Sequence, residues 1–80
     1  MKYNDETSME MHLQKEIQAC LLSATGHFQA GKSDPIAMAR LGGIATAIHA
    51  LTGEIWNCEL GTEGYIFINE DRTECICAEL

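Results

Sequence analysis

Gly26-His27-Phe28-Gln29-Ala30-Gly31-Lys32-Ser33 fits the phosphate-loop pattern G-x-x-x-x-G-K-[ST] at every specified position. Such a loop joins a buried strand to a helix N-terminus, so that its backbone amides converge on the phosphates. The neighbours argue against that use here. The preceding segment, LQKEIQACLLSAT, has helical periodicity, Asp34 repels phosphate, and Pro35 removes an amide donor. A chain of 80 residues also has no room for the parallel sheet and metal-binding aspartate that phosphoryl transfer needs. The octet is therefore expected to be a turn between two helices, with no nucleotide and no cofactor.

Metal and thiol chemistry come next. Cys58, Cys75 and Cys77, with His12, His27 and His49, supply ligand types. Structural zinc sites usually space their cysteine pairs by two to four residues, whereas Cys75 and Cys77 are separated by one. All four cysteines, Cys20 included, have apolar neighbours, which predicts reduced core thiols in a reducing compartment. His12 falls on a solvated face, and His27 and His49 fall near helix ends, where positive charge is favourable. A small zinc or thiol protein using Cys58, Cys75 and Cys77 stays as an alternative. No local signature pairs a nucleophile with a base. Glu70-Asp71 lies in a turn, and so small a domain has little room for a deep pocket. The expectation is a protein that is not an enzyme, with no catalytic residues.

The elements that place these residues follow from periodicity. Thr7-x-x-Glu10 has the form of a capping box. Met9, Leu13, Ile17, Cys20 or Leu21, Ala24 and Phe28 then recur at helical spacing, predicting a helix over 8–29 that Gly31 ends. Ser33-Asp34-Pro35 starts a second helix, whose apolar positions are Ala37, Leu41, Ile44, Ile48 and Leu51 and which Gly53 closes. Gly42-Gly43 in its middle costs about 1 kcal/mol per glycine. Ala39, Gly43 and Ala47 form a small-residue stripe, read either as close packing on the first helix or the sheet, or as a homodimer seam. A helix broken at Gly42-Gly43 is a further option.

After Gly53 the pattern alternates. EIWNCEL (54–60) puts Trp56, Cys58 and Leu60 on one face. YIFIN (65–69) is apolar on both faces, and TECICAEL (73–80) puts Cys75 and Cys77 together. Short turns between these segments imply antiparallel neighbours. The predicted fold is α+β: one domain, 1–80, with a tail at 1–7, a helical hairpin at 8–53 and a three-stranded antiparallel meander at 54–80. A two-layer domain covers one sheet face. Either Tyr65 and Phe67 or Ile66 and Ile68 are then expected near solvent, unless a second copy or the segment carrying Tyr3 covers them.

Charge is uneven. Residues 1–53 carry five acids and four bases, and residues 54–80 carry seven acids and one base, Arg72, within a total of −7. Direct binding to a phosphate backbone needs clustered Lys and Arg and is not expected. A basic partner is attracted instead, although net charge also serves simple solubility. No apolar run approaches the roughly 18 residues of a membrane span. MKYNDETSME lacks the apolar core of a secretory signal, and the expected location is the cytoplasm.

In size, acidity and lack of a catalytic constellation the chain is similar to small phage-encoded inhibitors of host defence, such as anti-CRISPR proteins. This is a likeness to a class and carries over no residue. It implies an inhibitor or adaptor that docks on a basic surface of a nucleic-acid-handling complex, by carboxylates occupying phosphate sites, in the host cytoplasm if phage-encoded. The candidate partner-binding residues are Glu59, Tyr65, Phe67, Glu70, Asp71 and Glu74. The alternative is a homodimeric structural or regulatory module joined along Ala39, Gly43 and Ala47, or through the C-terminal edge strand.

Overall fold

Gly31 stops the first helix by a Schellman motif. It adopts φ +75, its N–H donates to Phe28 O at 3.0 Å, and the next amide, Lys32 N–H, donates to His27 O at 2.8 Å. Only glycine takes that left-handed conformation without a steric cost. Asp34 starts the second helix: its carboxylate accepts from Ala37 N at 3.0 Å, and Pro35 sits in the first turn. The expected bend between two helices is therefore present, with hydrogen bonds closing one helix and opening the next.

The computed structural model describes residues 9–78. Its elements are α1 (Met11–Gln29), α2 (Pro35–Thr52), β1 (Trp56–Leu60), β2 (Tyr65–Asn69) and β3 (Cys75–Cys77). The strands form one antiparallel sheet in the order β1-β2-β3. This is the α-α-β-β-β arrangement that the periodicity predicts. No helix among the described residues is long and apolar enough to cross a membrane.

The start of α1 differs from expectation. Glu10 is its N-cap, with Oε2 accepting from Leu13 N at 3.0 Å, and the helix begins at Met11. Glu10 thus bonds forward into the helix as the cap itself, instead of serving as the fourth residue of a box. Thr7 lies outside the described residues.

The core lies between the helices and one sheet face. Ile17, Cys20, Leu21 and Ala24 from α1 meet Ala37, Leu41 and Ile48 from α2 over Trp56, Phe67 and Ile76. Burying each large side chain contributes about 1.5–3 kcal/mol. Trp56 and Phe67 stack at 5.4 Å with 16° between ring planes. The second sheet face is not left open either. Ile66, Ile68 and Cys77 are buried there, with Cys75 packed against them. Neither apolar pair of β2 faces solvent, and the two-sided apolar pattern of YIFI reports burial on both sides; Tyr3, whose segment was one expected cover, lies outside the described residues.

α2 runs unbroken through Gly42-Gly43. Ala39, Gly43 and Ala47 are exposed, and a β-carbon added at Gly42 or Gly43 would meet nothing within 4 Å. Close packing of this stripe on α1 or the sheet is therefore excluded, because the stripe lies on the side of α2 away from Ala37, Leu41 and Ile48. Leu51 also departs from expectation. It is 85% exposed, since Ile48 is the last core residue of the helix.

Candidate functional site

Every residue from His49 to Ile55 is exposed, between buried Ile48 and buried Trp56. The segment is nevertheless ordered by backbone bonds. Thr52 Oγ1 donates to Ile48 O at 2.7 Å and accepts from Glu54 N at 3.1 Å. Gly53 N–H donates to His49 O, closing α2. Ile55 O accepts from Glu70 N at 2.8 Å, which ties the start of β1 to the β2–β3 turn.

That turn is held by Asn69, a buried polar residue. Its Oδ1 accepts from Thr73 N at 2.9 Å and Glu74 N at 3.0 Å, and its Nδ2 donates to Thr73 Oγ1 at 2.9 Å. An amide that satisfies its neighbours this way fixes the loop without secondary structure. The Ile55–Glu70 bond brings the segment carrying Glu54 and Ile55 to the turn carrying Glu70 and Asp71. Leu51 and Ile55 are exposed aliphatics. Glu54, Glu70 and Asp71 are exposed and make no ion pair among the described residues. Exposed aliphatics and carboxylates are residue types that protein-docking surfaces combine.

No family model, curated protein or solved structure matches this chain.

The residues expected from sequence fall in different places. Glu70 and Asp71 belong to the β2–β3 turn, and Glu74 is half-buried at its base. Glu59 lies on β1 and is paired with Arg72. Tyr65 is half-buried and meets Phe28 edge to face at 5.8 Å. Phe67 is fully buried. It is removed from the candidate surface, because it faces the helices on the central strand and stacks on Trp56. Leu51, Ile55 and Glu54 were missed. The signal was present for Ile55, which falls on the opposite alternation from Trp56, Cys58 and Leu60.

The other constellations resolve structurally. Ala30, Gly31 and Lys32 N–H groups all donate to carbonyls of α1, so these amides are not turned toward a phosphate. Cys58 pairs across the sheet with Phe67 on the core side, whereas Cys75 and Cys77 lie on the opposite face. The three thiols of the zinc reading are thus split between two faces and cannot share one ion. No disulfide joins the four cysteines. Burial pushes the Cys58 thiol up to about 11, with the Glu59 carboxylate adding to it.

Ser23, His27 and Asp34 come together at the hairpin, a trio that periodicity did not reveal. Ser23 Oγ donates to Asp34 Oδ2 at 2.5 Å, and that bond is the main cause holding the Asp34 carboxyl below its usual range. His27 Nδ1 lies 2.8 Å from Ser23 O and 3.4 Å from Asp34 Oδ2. A carbonyl only accepts, so Nδ1 carries a proton. A hydrolytic triad needs the serine proton to go to the histidine; here it goes to the aspartate. The trio clamps α1 to the cap of α2.

Proposed function

We propose that this chain is a non-catalytic protein-binding module, an inhibitor or adaptor that docks on a basic surface of a nucleic-acid-handling complex. The observation that carries this reading is the junction at the start of β1: the exposed Ile55, next to Glu54, is tied through its carbonyl to Glu70 N–H, and so to the turn that carries the exposed Glu70 and Asp71. Preorganised loops lose little entropy on association. Carboxylates on a rigid junction attract a cationic partner and favour its correct orientation. The likeness to phage-encoded inhibitors such as anti-CRISPR proteins fits this chemistry, with action in the host cytoplasm.

The test is quantitative affinity purification from a bacterial lysate, comparing the native chain with Glu54→Lys/Glu70→Lys/Asp71→Lys. Proteins with basic surfaces are expected to be retained by the first and lost by the second. Equal retention by both removes the acidic junction as the docking surface.

One observation favours a second reading, a homodimer along Ala39, Gly43 and Ala47. The stripe is exposed, and nothing within the described fold requires two glycines in mid-helix. Sedimentation velocity over a wide concentration range tests it. A monomer throughout rules it out, and a dimer abolished by Gly43→Leu supports it.

A further inference from the structure

α2 is apolar on both of its sides. The inner side packs Ala37, Leu41 and Ile48 into the core. The outer side carries Ile36, Ala39, Gly43, Ala47 and Ala50, all exposed, with Ile36 at 70%. Arg40 is the one permanent charge on the helix, and it flanks this side, 3.5 Å from Glu16 on α1. The Thr46 hydroxyl on the other flank donates to Gly42 O at 2.9 Å, so it needs no partner outside the helix. A helix that is apolar all round is normally enclosed; α2 is covered on one side only.

The order of residues on the outer side determines what fits it. At about 100° per residue, Ile36, Ala39, Ala47 and Ala50 all project within about 40° of Gly43. They are also symmetric about Gly43 along the chain: Ala39 and Ala47 stand four residues to either side, Ile36 and Ala50 seven. A second α2 laid antiparallel across the first at Gly43 sets Ala39 against Ala47 and the large Ile36 against the small Ala50, at both ends. Such self-complementarity is what a two-fold interface requires. Glycine at the crossing lets the two backbones approach closely.

Charge and area favour a second copy too. The chain carries −7 overall, yet this side holds no acid, so two copies meet here without burying like charges. α2 has 18 residues, about 27 Å of helix about 10 Å across. Two such sides bury on the order of 1,000 Å² together, the lower bound for a specific interface.

We propose that the outer side of α2 binds a second copy of the chain, helix against helix in antiparallel sense, with Gly43 at the two-fold axis. This arrangement rests on the homodimer reading given above and gives it a direction and a register.

Sedimentation equilibrium of the full chain tests it, with substitutions confined to exposed positions. Ile36→Lys alone and Ala50→Glu alone are each expected to weaken the dimer by about tenfold or more, by leaving unpaired charge in the seam. Ile36→Lys/Ala50→Glu is expected to recover most of that loss, because the antiparallel seam sets each introduced cation against an introduced anion of the other copy. In a parallel pair position 36 faces position 36, and the double variant stays at least as weak as the weaker single one. That result overturns the antiparallel arrangement and leaves the homodimer reading standing. Gly43→Leu separates the two levels. A dimer that survives it is joined elsewhere, and a native chain that stays monomeric at every concentration has no seam; either outcome removes the homodimer reading and this arrangement with it. Thermal melts of each variant confirm that the fold is retained.

Discussion

The hydroxyl of Thr25, deep in α1, accepts a hydrogen bond from Tyr65 N–H at 2.9 Å, joining residues forty apart in the chain. Thr25 is buried, and the residue before Tyr65 is Gly64 at φ +140. A β-carbon on Gly64 would stand 2.6 Å from Thr25 Oγ1 and closer still to its methyl. Helix and sheet therefore touch, backbone to side chain, at a point where no β-carbon fits. Gly64→Ala is expected to destabilise the fold by about 2–4 kcal/mol, through overpacking and a disfavoured φ together. Thr25→Ala leaves the Tyr65 amide without its partner and is expected to cost about 1–3 kcal/mol. Urea denaturation of the two variants measures both.

The mid-helix glycines of α2 give the opposite expectation. Space is open around Gly42 and Gly43. Gly42→Ala is expected to stabilise the monomer by about 1 kcal/mol, and Gly43→Ala by a similar amount. Thermal melts at low protein concentration read this directly. A loss of stability at either site would mean that the glycine has a contact within the monomer.

Acid should loosen the start of α1 before the core. Glu10 is pulled down to about 2 from an ordinary 4.5, first by the His12 backbone N–H, then by the His12 side chain and the Leu13 N–H. A carboxyl depressed on folding contributes stability that is fully present above about 4.5 and is lost as pH falls through about 2. Amide exchange at residues 11–13 is expected to accelerate over that window, relative to residues 17–24. Glu10→Gln is expected to abolish the pH dependence at those amides.

Thiol reactivity should report burial. With its thiol raised to about 11, Cys58 is expected to hold about one thiolate in a thousand at pH 8 and to react slowly with iodoacetamide. Cys20, raised chiefly by desolvation, should be similarly slow. Mass-spectrometric mapping of alkylation in native buffer and in urea tests this. Rapid native labelling of Cys58 would show that its environment opens.

Element order was legible because the punctuation is chemical. Gly31, Asp34-Pro35 and Gly53 each perform one local job that few other residues do as well. The start of α1 was less legible, since an acid can cap a helix itself or support a cap three residues earlier, and the sequence pattern is the same. Leu51 was misread because helical periodicity continues after the core has ended. The faces of β2 show that both sides are apolar, but alternation cannot say what covers each side. The Ser23–Asp34 bond was hidden for a different reason. It spans a Schellman turn, whose geometry decides which residues of two helices meet.

The order β1-β2-β3 has a kinetic consequence. Each strand pairs with its successor across turns of four and five residues, 61–64 and 70–74. Such hairpins close small loops, and helices form from local contacts, so both halves of the chain can organise early. What remains is the distant docking of α1 on the sheet, on β2 and β3, where Thr25 receives Tyr65. Loop-closure entropy is concentrated in that step. The Gly64–Thr25 junction is then the natural place for the folding barrier, and variants there should slow refolding more than they speed unfolding.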